Sequence, residues 1–222
     1  MTGLIICLLG TAIFGYFVGS ANTAILVGMA YGIDIRTKGS GNAGMTNTMR
    51  TLGSFAGILV IIGDMLKAFV SCIVGYLVIK YFATEYLEQF ASLGSIAGGF
   101  AVVTGHIWPV YFKFKGGKGV LTAFTALLTI DYKPALVSLA LFIIVILLTR
   151  YVSLGSIIGT VSFPISAILF KGKIEIWYIV LLIMLCSLIV FMHKGNISRL
   201  LKGTESKIGK SKTKNSDGGG KV

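Results

Sequence analysis

Apolar runs long enough to cross about 30 Å of hydrocarbon recur along the chain, and the charges fall in the gaps between them. Seven such runs are predicted as spans: Leu4 to Tyr31, Phe55 to Val78, Ser92 to Trp108, Gly119 to Ile130, Pro134 to Thr149, Ser156 to Phe170 and Ile176 to Met192. Backbone groups in lipid must be satisfied internally, so these are helices and not strands. The fourth is short and carries Thr, which suits a half-length or tilted helix; five or six spans with re-entrant segments is the competing count. The first run is not a cleavable signal peptide, because Met1-Thr2-Gly3 has no positive charge and the apolar stretch is too long. No inverted repeat of the transporter kind stands out.

Composition agrees with the pattern. Of 222 residues 55% are hydrophobic and 13% charged, about half the charge a soluble domain carries, and the mean hydropathy is +0.88. The 29 Gly follow no triplet, and Cys7, Cys72 and Cys186 each lie in an apolar run with no metal-ligand or redox spacing, so they read as small buried hydrophobes. The net charge of +12 needs a location. Alternate gaps hold Arg36, Lys38 and Arg50; Lys113, Lys115 and Lys118; Arg150; and then the C-terminal tail, whose cations run from Lys194 to Lys221. The intervening gaps hold Lys80, Lys133, Lys171 and Lys173, balanced by Glu85, Glu88, Asp131 and Glu175. Cytoplasmic loops retain positive charge, so the N-terminus is expected outside and the tail inside.

The basic gaps also gather chemistry. The first, residues 36–50, places Gly39, Gly41 and Gly44 among Ser40, Asn42, Thr46 and Asn47 and ends on Arg50, whose planar fork suits an oxyanion. Its G-x-G-x-x-G spacing is not a dinucleotide fingerprint, having no strand before it. The second, residues 105–119, ends in Gly116-Gly117-Lys118-Gly119 at a helix start, where several backbone N–H groups and an ammonium can meet one phosphate. It is not a Walker A loop, and its aromatics Trp108, Tyr111, Phe112 and Phe114 read as interfacial anchors, not as base-stacking groups for nucleic acid. In the third, residues 193–205, His193, Asn196 and Arg199 would share one side of a continuing helix. Asp64 and Lys67, at i and i+3 in the second span, form a pair that is structural glue or the floor of a site. The turn at Ser153, beside Arg150, could lend one hydroxyl, and residues 207–222 form a low-complexity basic tail suited to anionic lipid.

Together these three loops resemble the bacterial PlsY-type membrane acyltransferases, which acylate glycerol 3-phosphate from acyl phosphate. The first family motif is met by Ser40, Gly41, Asn42, Gly44, Thr46, Asn47 and Arg50. The second is met by Gly105, His106, Pro109, Phe114, Gly116, Gly117, Lys118 and Gly119, with Tyr111 at a Phe position. The third is met by His193, Asn196, Ile197, Arg199, Gly203 and Glu205. Ala43 and Met45 stand where the family often has Pro and Ala.

The resemblance implies an all-α, seven-helix domain over residues 1–206 in the bacterial cell membrane, with a cytoplasmic active site. It implies acyl transfer to the 1-hydroxyl of glycerol 3-phosphate, the first step of phospholipid synthesis, with no cofactor and no metal. Ser40, Arg50, Lys118, His193 and Asn196 are the expected catalytic residues. Gly41, Asn42, Thr46, Asn47, Gly116, Gly117, Gly119 and Ser153 are expected to bind substrate, and Asp64, Lys67 and Glu205 to support the site. The His-x-x-x-x-Asp motif of thioester-using acyltransferases is absent, since Tyr111 and Ser198 lie five residues after His106 and His193. The rival from another class is a membrane carrier or channel for a phosphorylated solute, which would need polar pairs deep in several spans.

Overall fold

A computed structural model describes residues 2–82, 88–171 and 176–208. Glu85, Lys173, Glu175 and the tail beyond residue 208 lie outside the described residues. The described elements are helices: α1 Thr2–Ser20, α2 Thr23–Ala30, α3 Met45–Leu52, α4 Ser54–Phe82, α5 Glu88–Ile107, α6 Val120–Ile130, α7 Tyr132–Thr149, α8 Val152–Lys171, α9 Ile176–Met192 and α10 Lys194–Leu201, with 3-10 turns at Ile35–Thr37 and Val110–Phe112.

By length and composition, five stretches of these helices can cross a membrane: Thr2–Ala30, Ser54–Phe82, Phe90–Phe112, Tyr132–Thr149 and Val152–Phe170. A sixth exists if α9 and α10, bent 55° apart, count as one. The expected fourth span, α6, has 11 residues and rises only about 16 Å, half a bilayer core. The first span is not continuous. It breaks after Ser20, where the Asn22 side chain caps α2 by accepting the Ile25 N–H at 3.1 Å.

Small residues set the packing of α1, α4 and α5. Gly75 on α4 and Gly94 on α5 stand back to back, and a Cβ on either would strike the other's carbonyl, so the helices meet backbone to backbone. α7 and α8 form an antiparallel pair joined at Arg150, which takes the left-handed conformation at φ 63°. The main apolar core then joins α5, α6, α8 and α9 through residues such as Val103, Leu127, Phe163, Leu182 and Ile189. This arrangement brings residues 40–50, 118–119, 152–153 and 193–206 to one end of the bundle, around a single cavity.

Candidate active site

The first loop is held by its own side chains. Asp34 accepts the Arg36 backbone N–H at 2.9 Å and pairs with the Arg36 guanidinium at 2.8 Å; these hydrogen bonds hold its carboxyl below the usual carboxylate range. Arg36 also donates from Nη1 to the carbonyls of Phe112 (3.0 Å) and Lys115 (3.1 Å), which staples the first loop to the second. Gly39 and Gly41 adopt positive φ on either side of Ser40, which is exposed at the cavity. The segment from Met45 onward, read from sequence as loop, is helix α3. It carries Asn47 inward, where Oδ1 accepts the Ser40 N–H at 2.8 Å and Nδ2 donates to the carbonyls of Ile35 and Lys38. Asn47 is therefore a brace of the loop, its amide spent on backbone. Gly41, Asn42 and Thr46 line the cavity, and Arg50, exposed on the last turn of α3, makes no hydrogen bond or ion pair among the described residues.

The second loop departs from expectation in one respect. Gly116 and Gly117 turn their N–H groups back onto the end of α5, to Ile107 O at 3.1 Å and His106 O at 3.2 Å. Neither glycine lines the cavity. Their place is steric: a Cβ on Gly116 would collide with the His106 carbonyl, and one on Gly117 with His106 Nε2 and Ala43 O. Those two N–H groups are thus already satisfied, and the part of the motif that lines the cavity begins at Lys118. Gly119, at φ 75°, caps α6 and leads its free N-terminal amides toward the cavity, where Lys118, Gly119, Val120 and Leu121 all stand in the lining.

The third segment does not continue α9. The chain bends at His193, which is buried and lines the cavity. Its Nδ1 lies 2.8 Å from the Ile189 carbonyl, which can only accept, so the proton sits on Nδ1 and the lone pair on Nε2. On α10, Asn196 accepts from Lys118 Nζ and donates to Glu205 Oε1 at 2.6 Å. Glu205 Oε1 also accepts from Ser153 Oγ at 2.8 Å, while Oε2 accepts from Arg199 Nε at 2.7 Å. Burial alone would raise the Glu205 pKa, but the hydrogen bonds from Asn196, Ser153 and Arg199 outweigh it and hold the carboxyl below its ordinary value. Ser153, expected to bind substrate, lines the cavity, but its hydroxyl is committed to Glu205. Burial lowers the Lys118 pKa to about 8, with the Glu205 charge opposing that fall and Arg199 adding to it.

Beneath the loops, Asp64 and Lys67 pair at 2.8 Å as the i, i+3 spacing suggests, and both are buried. Sequence reasoning did not anticipate the third member. His106, at the end of α5, places Nδ1 2.9 Å from Lys67 Nζ, and Thr23 Oγ1 donates to Asp64 at 3.0 Å. The available signal was a histidine inside the second motif with no role assigned to it.

These groups surround a cavity of about 830 Å³. Its mouth is polar and cationic, lined by Arg50, Lys118 and the α6 N-terminus; its depth is apolar, lined by Phe124, Leu139, Phe142, Phe163, Leu185 and Ile189. From Val152 to Phe163 along α8 the lining descends 11 residues, about 16 Å into the bundle. Such a space takes an anionic head and an alkyl tail together.

The glycerol-3-phosphate acyltransferase family profile matches residues 9–203. The chain belongs to that family. A glycerol-3-phosphate acyltransferase of Thermoanaerobacter pseudethanolicus is 43% identical over 200 residues, covering 90% of this chain and 94% of the relative. One of Clostridioides difficile is 38% identical over 206 residues, covering 90% and 95%. Among solved structures, PlsY, an integral membrane glycerol 3-phosphate acyltransferase, in its glycerol 3-phosphate form superimposes with a TM-score of 0.80 at 35% identity over 91% of this chain and 96% of that one. Its lysophosphatidic acid form gives 0.77 at 34% identity, over 91% and 95%. As a member of this acyltransferase family, the chain is an all-helical, multi-pass bacterial membrane enzyme.

Proposed function

We propose that the enzyme transfers a fatty acyl group from acyl phosphate to the 1-hydroxyl of glycerol 3-phosphate at the cytoplasmic face, giving lysophosphatidic acid and phosphate. The observation that carries this reading is the cavity itself, whose cationic mouth opens directly onto an apolar depth between α6, α7, α8 and α9. The acyl chain lies in the depth and the phosphates at the mouth. The hydroxyl oxygen attacks the acyl carbon, a C–O ester bond forms, and the C–O bond to phosphate breaks. Arg50, Lys118 and the amides at the start of α6 meet the leaving phosphate and the tetrahedral oxyanion, and Ser40 faces them as a hydroxyl donor. Asn196 and Glu205 hold Lys118 in place. The hydroxyl proton goes to His193 Nε2, whose lone pair is free by the tautomer, or to a phosphate oxygen of the substrate. The N-terminus lies outside and seven spans cross, α6 being the short one, which puts the basic gaps inside.

Purified protein given acyl phosphate and glycerol 3-phosphate should release phosphate in step with lysophosphatidic acid. No release, or equal rates with acyl-CoA, would overturn the donor assignment; movement of glycerol 3-phosphate across vesicles without acylation would favour a carrier.

A further inference from the structure

His106 is 3% exposed, yet it lines the cavity. Its two nitrogens face different worlds. Nδ1 lies 2.9 Å from Lys67 Nζ, 3.3 Å from Thr122 Oγ1 and 3.5 Å from Asp64 Oδ1. The ammonium of Lys67, held at 2.8 Å by Asp64, has hydrogens to give and no lone pair, so at the shortest of these distances Nδ1 is the acceptor. A second proton on the ring would set two cations at that same separation. Nε2 therefore carries the one ring proton. It has no hydrogen-bond partner among the described residues, and the residue stands in the cavity lining. It lies against Gly117, one residue before Lys118.

We infer that His106 is a neutral, Nε2-protonated donor to a substrate phosphate oxygen beside Lys118, with Asp64 and Lys67 as positioning residues that set its tautomer. It is the counterpart of His193, whose backbone bond leaves the opposite tautomer, an acceptor. One cavity thus holds one imidazole that gives a hydrogen bond and one that receives one. The inference rests on the reading that phosphate groups occupy the mouth. The phosphate belongs to glycerol 3-phosphate or to the acyl donor, which share the oxyanion chemistry.

The chain has 2 His, so ¹⁵N-histidine NMR of the unmodified protein in micelles reads both tautomers, with His193→Gln giving the assignment. Expected are Nε2–H for His106 and Nδ1–H for His193; an Nδ1–H or doubly protonated His106 overturns the inference. Inorganic phosphate should shift the His106 Nε2–H signal, and a signal unmoved at phosphate concentrations that inhibit turnover overturns the donor role. Lys67→Met should move His106 toward a mixed tautomer, which a purely structural pair would not do. In kinetics His106→Leu should raise one KM about 10- to 100-fold, the substrate affected telling which phosphate is met, while His106→Gln, which keeps an N–H near Nε2, should recover most of it. Equal defects in both folded variants, confined to kcat, overturn the inference. If unmodified protein released no phosphate at all, the acyl-transfer reading would fall, whereas the tautomer and phosphate-shift measurements would still decide the role of His106.

Discussion

Lys118 must hold its proton to meet an anion, and its surroundings work against that. Burial is the main force bringing its pKa down to about 8; the Glu205 charge opposes that fall and the Arg199 charge adds to it. The charge is present below that value and lost as pH rises through it, leaving roughly a tenth of the enzyme protonated at about pH 9. The profile of kcat/KM reports the free enzyme, so it should fall about tenfold per pH unit above 8. The acid limb belongs to the substrate, whose phosphate monoester gains its second charge near pH 6. Two variants move the alkaline limb in opposite directions: Glu205→Gln removes the supporting charge and shifts it down, and Arg199→Gln removes the opposing charge and shifts it up. Lys118→Arg should abolish the limb at whatever rate survives, because a guanidinium does not titrate in this range. A profile flat to about pH 10, or the same limb in the Arg variant, would refute the assignment of this cation to the leaving phosphate.

Other outcomes follow from the same geometry. Arg50→Ala should abolish turnover with thermal stability unchanged, since the side chain is exposed and makes no hydrogen bond or ion pair among the described residues; a near-normal rate would show that α3 does not clamp phosphate. His193→Ala losing about tenfold or less in kcat would assign proton removal to a substrate phosphate, and a loss of about 1000-fold would assign it to Nε2. Gly117→Ala drives a methyl against His106 Nε2 and Ala43 O, so it should raise the KM for glycerol 3-phosphate; an unchanged KM would show that neither His106 nor the first loop senses that step.

Partition was legible along the chain. Apolar runs, the side on which Lys and Arg collect and the three polar loops are one-dimensional properties, because transfer between water and lipid acts on each segment largely by itself. Hence each expected span has a helical counterpart, and Ser40, Arg50, Lys118 and His193 do converge on one cavity. The break of the first span at Asn22, the bend at His193 and the shortness of α6 blur the count without moving the loops.

Hydrogen-bond partners were not legible, because they join residues far apart in sequence. Lys118 meets Asn196, Ser153 meets Glu205, and Lys67 meets His106 only after the helices pack. The glycines of the second loop illustrate the difference. From sequence they looked like free N–H groups for an anion, but packing onto α5 satisfies those groups internally and leaves Lys118 and the α6 N-terminus as the part of the loop that lines the cavity. A buried donor or acceptor must find a partner, and which one it finds is settled by the fold. Sequence alone thus determined a membrane enzyme with its polar chemistry gathered at one end. Tertiary structure decided which polar groups are already spent on the protein and which remain to meet substrate, since a donor or acceptor that is satisfied within the fold is no longer available to a ligand.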